Sequence, residues 1–347
     1  MTPATRCPER PLSSRRWAHF ALALLLSACG GPSSAAGRSP VTWSDSSPHT
    51  VRFVSVAPGV RLEVLDWGGS GPPLVFLSGL QDVAHGFDDF APHFTARFRV
   101  LAITRRGYGA SSQPPAGYDL ATRVTDLRAV LDSLALPRVA LAGHSIAGDE
   151  LTAFAGRFPE RVTGLVYLDA AYDHSGVAAL IRESPPPPPM LPSDSASPTA
   201  VQAYLLRVFG MRIPEAQLRA IARYDTSGKL TANVTPEVID SLMIAGSGHP
   251  DYEAVRVPAL AIYAVPDSAP QVFPGWGRLD STGRVAARHF TAVLQGWASE
   301  ERTRFRRELP TGQVVELHGA NHYVFFSHAT EVTWAMRSFL PRAGEQR

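Results

Sequence analysis

The segment that most narrows what this chain can fold into is Gly143-His144-Ser145-Ile146-Ala147-Gly148, which follows the apolar run at 139–142 directly and precedes an amphipathic stretch at 150–158. A chain that leaves a buried strand and starts a helix within so few residues must turn sharply. The serine backbone is then strained, and small residues two before and two after it let the helix pass close to the strand. Gly143 and Ala147 supply them. From about residue 50 onward, short apolar runs alternate with helical stretches, which predicts an α/β fold with a mostly parallel sheet.

The remaining elements follow from periodicity. Residues 51–56 and 61–67 flank Pro58-Gly59 and read as an antiparallel ribbon, while 73–78 and 100–104 are short and apolar enough for central strands. Leu120, Val124, Leu127, Leu131 and Leu134 form one helical stripe, and the strand at 138–143 follows Pro137. Strands are expected at 163–169 and 259–265, separated by more chain than a normal crossover uses. That segment opens with the polyproline run at 185–189 and continues with amphipathic stretches at 199–209, 215–224 and 236–245, so it reads as a helical cap inserted between strands six and seven. A long helix within 283–308, a last strand at 313–317 and a closing helix at 331–340 complete the pattern. Phe87, Phe90 and Phe94 have the spacing of a buried helix face.

In its strand-turn-helix context the serine motif resembles the nucleophile elbow of the α/β-hydrolase superfamily, with Ala147 where glycine is more usual. Arg105-Arg106-Gly107-Tyr108-Gly109, Leu168-Asp169-Ala170-Ala171 and Gly319-Ala320-Asn321-His322-Tyr323 extend the likeness over residues 61–340, closest to the capped esterase and non-haem haloperoxidase-like branch. The resemblance implies an eight-stranded, mostly parallel sheet flanked by helices, and cofactor-free hydrolysis through an acyl-serine; a carboxylic ester is the leading substrate, with amide or carbon–carbon bond hydrolysis, acyl transfer, or a non-catalytic ligand-binding lipoprotein as alternatives. Epoxide hydrolases and haloalkane dehalogenases of the superfamily use an aspartate nucleophile, so Ser145 argues against both. No His-Glu-x-x-His run or cysteine cluster indicates a catalytic metal.

A serine hydroxyl is a poor nucleophile until a base takes its proton. Of the eleven histidines, His322 stands where the superfamily places its base, with His318 the runner-up. His144 adjoins the serine and is expected to point into the packing; His174, His249 and His289 fall in or near the cap. The acid should follow a strand in the order Ser, acid, His. Asp267, just past the strand at 259–265, is favoured, and Asp169, at the end of the preceding strand, is the alternative. For the oxyanion, the expected donors are the Ile146 N–H and the Leu80 N–H, the latter in Ser78-Gly79-Leu80, which resembles the His-Gly-X oxyanion loop with serine replacing histidine.

The N-terminus has another character. Arg6, Arg10, Arg15 and Arg16 precede an apolar run at 17–26 that would span only about 15 Å as a helix, too short to cross a bilayer. It reads as an export signal at 1–28 ending in Leu26-Ser27-Ala28-Cys29, which resembles a lipoprotein lipobox. Cys29 would carry the lipid, a tether at 29–49 would have a reach of roughly 25 Å, and the body would divide into a core at 50–172 and 257–342 with a cap at 173–256. The expected partners are then a membrane, through the lipid, and a small hydrophobic ester. With a formal charge of +2 and arginines that are scattered rather than clustered, nucleic acid is disfavoured. Cys7 and Cys29 are the two cysteines, so the mature body would hold no thiol to compete with Ser145.

Overall fold

A computed structural model describes residues 43–340; the expected export signal, the expected lipidation at Cys29 and most of the expected tether lie outside the described residues. In chain order the elements are β1 (Thr50–Ala57), β2 (Val60–Gly68), β3 (Pro73–Leu77), β4 (Arg99–Thr104), α1 (Leu120–Ser133), β5 (Val139–His144), α2 (Ala147–Arg157), β6 (Val162–Leu168), α3 (Val177–Glu183), α4 (Pro198–Phe209), α5 (Glu215–Ile221), β7 (Ala222–Tyr224), β8 (Leu230–Asn233), α6 (Glu237–Ala245), β9 (Ala259–Val265), α7 (Ala269–Val272), α8 (Ser281–Glu308), β10 (Gln313–His318), α9 (Val324–Ser327) and α10 (Ala329–Phe339). Eight strands form one sheet in the order β1-β2-β4-β3-β5-β6-β9-β10. The β1–β2 and β2–β4 pairs are antiparallel and all others in this sheet parallel. This is the α/β-hydrolase fold.

Alternation along the strands divides the core between the two faces of the sheet. Leu74 and Phe76 of β3, with Val100 and Ala102 of β4, join one apolar cluster; Val75, Leu77, Leu101 and Ile103 join the other. Phe76 stacks on Phe87 at 4.8 Å between ring centroids, with Phe94 and Phe90 at 5.8 and 5.9 Å. Phe87, Phe90 and Phe94 are buried as expected, but along two short 3-10 turns, Ala84–Phe87 and Ala91–Phe94, rather than one helix. Pro92 sits at the start of the second turn, where its missing N–H costs nothing and a helix running through from the first cannot continue.

The cap lies between β6 and β9, which are neighbours in the sheet. Its helices α3 to α6 are joined by an antiparallel hairpin, β7–β8, that the helical reading of 215–224 did not anticipate: α5 stops at Ile221 and Ala222 to Tyr224 continue extended. Ser197 caps α4, accepting from Ala200 N, and Gly210 ends it with φ +65°. The tether expectation also needs shortening. Residues 45–49 are engaged with the body: Ser47 Oγ donates to Asp88 Oδ1 at 2.8 Å, and the His49 side chain is 3% exposed. Among the described residues no helix is long and apolar enough to cross a membrane.

Candidate active site

Ser145 stands between β5 and α2 with φ +54°, a left-handed conformation that a side chain rarely adopts. The turn closes through Gly148 N to Ser145 O at 2.9 Å. A Cβ on Gly143 would lie 2.6 Å from Leu151 Cδ1, so the glycine two before the serine is needed for helix packing. The tightest approach after the serine is at Gly148, not at Ala147. A Cβ there would meet Ala170 O at 1.8 Å, whereas the Ala147 methyl is accommodated in full burial. Alanine in the usual glycine position is therefore compatible with the elbow because the close contact has moved one residue on.

Asp169, at the end of β6, also takes positive φ, +48°. Its Oδ2 lies 2.7 Å from His322 Nδ1. Its Oδ1 accepts from Ala264 N at 2.9 Å and from Tyr172 Oη at 2.5 Å. Burial, and next the Asp169 charge, push the Tyr172 hydroxyl well above its ordinary pKa, so it stays a donor. The favoured acid, Asp267, is corrected here. It lies 3.0 Å from His318 Nδ1 in a pair whose side chains are 52% and 67% exposed, apart from Ser145. Both acids end strands, but β6 is the neighbour of β5, which carries Ser145, while β9 is one strand further out. The loop after β10 brings His322 to the nearer carboxylate. His318, the runner-up base, is thereby also set outside the cavity.

His144 holds that loop. Its ring is buried, 4.6 Å from the His322 ring, and Nε2 lies 3.1 Å from the His322 carbonyl oxygen. Burial lowers the His144 pKa, keeping the ring neutral, and a carbonyl can only accept, so the proton sits on Nε2. As expected, this residue points away from the serine's chemistry.

Leu80 and Ile146 line the same cavity as Ser145, Asp169 and His322. Ile146 opens α2, where the first N–H groups have no partner inside the helix. Leu80 is oriented by Arg105, a residue the sequence reading singled out only as part of the family likeness. Its guanidinium donates to Ser78 O at 2.7 Å and Gly79 O at 3.1 Å, with Nε on Glu150 Oε1 at 2.7 Å. In a trans peptide the C=O and the next N–H point opposite ways. Pulling Gly79 O toward Arg105 thus aims the Leu80 N–H away from it. Ser78, in the usual histidine position, donates its hydroxyl to Asp82 O at 3.1 Å and closes the loop on itself.

Above the elbow the cavity is walled by apolar side chains: Val177 and Ile181 of α3, Phe209 of α4, Ile244 of α6, and Phe290, Leu294 and Trp297 of α8. His174 also lines it, with Nδ1 held 2.7 Å from the buried Asp149 Oδ1. His249 instead pairs with Asp173 at the surface, and His289 is exposed beside Glu183. Polar contacts from two cap helices fasten the cap to the segments after β3 and β4. Gln217 of α5 donates to Asp82 Oδ1 at 2.8 Å. Asp240 of α6 accepts from Gln81 Nε2 and, at 2.9 Å, from Tyr108 Oη. Burial pushes the Asp240 carboxyl up to about 6. None of the cavity residues belongs to the group with a metal-binding composition among the described residues, Asp45, His49, His85 and Asp88.

A parallel sheet with a strained serine at a strand-to-helix turn and a His–Asp pair in the same cavity defines the hydrolase class of α/β folds. The α/β-hydrolase-fold family model matches residues 72–221, less than half of the chain, within the fold described above. Among relatives, a putative non-haem haloperoxidase of Mycobacterium phage D29 is 37% identical over 121 residues, 34% of this chain and 42% of its own. A bifunctional epoxide hydrolase of Mus musculus is 34% identical over 123 residues, 35% of this chain and 22% of its own. The matched stretch spans less than half the length of these curated relatives. The solved structure of E-2-(acetamidomethylene)succinate hydrolase superposes with a TM-score of 0.62 at 19% identity, covering 84% of this chain and 98% of that one.

Proposed function

We propose that the protein is a serine hydrolase that cleaves carboxylic esters with a hydrophobic acyl group, using Ser145, His322 and Asp169. The observation that carries this reading is the 2.7 Å His322–Asp169 pair in the cavity that Ser145 lines. Asp169 holds the proton on His322 Nδ1, leaving Nε2 as base. His322 Nε2 takes the Ser145 proton as Oγ adds to the ester carbonyl, and the Leu80 and Ile146 N–H groups receive the oxyanion. The C–O bond to the alcohol then breaks, with His322 returning the proton to the leaving oxygen. A water, deprotonated by His322, adds to the acyl-serine, and collapse releases the acid and restores Ser145.

A serine at the elbow, where epoxide hydrolases of the superfamily carry aspartate, favours acyl transfer over epoxide opening. The apolar wall supplied by the cap and α8 suits an acyl chain more than a charged substrate. The test is labelling with a fluorophosphonate together with turnover of p-nitrophenyl esters of graded acyl length. Labelling that is lost in Ser145→Ala, with ester turnover falling at least about 10³-fold, is expected. An unlabelled protein, or one that cleaves amides or diketones but no ester in the panel, overturns the reading.

A further inference from the structure

We propose that Asp45, His49, His85 and Asp88 form a binding site for one divalent cation of the zinc type, which staples the segment before β1 to the turn that follows the oxyanion loop. Asp45 and His49 come from that segment; His85 lies on the turn Ala84–Phe87 and Asp88 caps it. Each residue offers one ligand atom, and the four atoms lie within 4.8 Å of one another. Tetrahedral zinc, with bonds of about 2.0–2.1 Å, sets its ligand atoms about 3.3–3.4 Å apart. Each His–Asp pair approaches that edge, with His49 using a different ring nitrogen toward each carboxylate and Asp88 a different oxygen toward each imidazole. His85 Nδ1 is 2.9 Å from Asp88 Oδ2 and 3.4 Å from Asp45 Oδ2, while His49 is 2.9 Å from Asp88 through Nδ1 and 3.6 Å from Asp45 through Nε2. Around a cation the widest of these separations, up to 4.8 Å, would close by as much as about 1.4 Å.

The chemistry of the donors selects the metal. Two imidazoles and two carboxylates suit zinc and its neighbours, whereas calcium and magnesium require oxygen sets. Among the described ion pairs, Asp45 and Asp88 face only these histidines and no lysine or arginine, so two carboxylates meet no permanent positive charge. His49 Nδ1 is buried 2.9 Å from Asp88 Oδ1 without a well-directed hydrogen bond between them. The ligands are also held from behind. Ser47 Oγ donates to Asp88 Oδ1, Ser47 N donates to Asp45 Oδ1 at 2.9 Å, and Trp67 Nε1 donates to Ser47 Oγ at 3.3 Å. The site is structural: it lies outside the cavity and takes no part in the ester reaction.

The competing occupant is a proton, with imidazolium ions pairing the carboxylates. Full-length protein stripped with EDTA is titrated with zinc chloride by calorimetry and melted with and without zinc, with Asp45→Asn and His85→Gln as variants and magnesium and calcium chloride as controls. One zinc bound per chain at this site is expected, with a rise in Tm of at least about 3 °C that both variants lose and an affinity at least about 10-fold weaker in each. Asp45 is the more exposed ligand, so its variant keeps the test alive should His85→Gln fold poorly. Zinc binding and melting indistinguishable between wild type and Asp45→Asn, or a response to calcium or magnesium equal to that to zinc, overturns the proposal.

Discussion

Asp169 receives a main-chain N–H, a tyrosine hydroxyl and an imidazole, whereas Asp267 shares an exposed contact with one histidine. Substituting the two in parallel separates their roles. Asp169→Asn is expected to lower kcat for an ester substrate by about 10³–10⁴-fold, because the amide favours the wrong imidazole tautomer. Asp267→Asn should leave kcat within about twofold. The serine, the histidine and the glycine-lined elbow were legible in the sequence because each depends on its immediate neighbours. The choice between the two acids was not, since it turns on which strand end the His322 loop crosses. The His–Asp group at the N-terminal segment was equally unreadable: its members come as two separated pairs, 45 with 49 and 85 with 88, and neither pair alone has a ligand motif.

Arg105 acts on a whole loop. Its hydrogen bonds to two successive carbonyls fix the peptide plane that carries the Leu80 N–H, and its Nε shares Glu150 with the buried Arg123. Arg105→Ala should reduce kcat by about 10²-fold or more through a misdirected oxyanion donor, with KM little changed. It should also cost about 3 kcal/mol of stability, measured by urea unfolding, as part of a buried ion cluster is left unpaired. At this scale periodicity read the long elements well: β9 and α4 fall within a residue of expectation. It failed on the 3-10 turns and on the hairpin β7–β8, whose strands are three and four residues long. Elements that short hold too few positions to express a period, and packing decides them.

Across the whole molecule, cap and core are joined by a carboxylate that prefers to be neutral. Asp240 titrates near 6 in the folded protein against 3.8 for an ordinary aspartate, with burial the leading cause and Glu237 adding to it. The folded state therefore binds the extra proton between about pH 4 and 6, and the contribution of this group to stability falls as pH rises through that window. The change amounts to roughly 3 kcal/mol. Asp240→Asn should remove it: the wild type loses stability relative to the variant between pH 4 and 6.5, and the difference is flat above, as read from Tm at each pH.

The cap leaves the sheet after β6 and returns at the adjacent β9, so on topology alone it resembles a module that descent could exchange freely. Its anchors argue otherwise. Gln217 and Asp240 both land on the stretch from Gln81 to Asp82, immediately after Leu80. A cap lacking those partners would leave Asp82 short of a donor beside the oxyanion loop. Cap and loop should thus be inherited as a linked pair, and a chimaera that moves one must move the other.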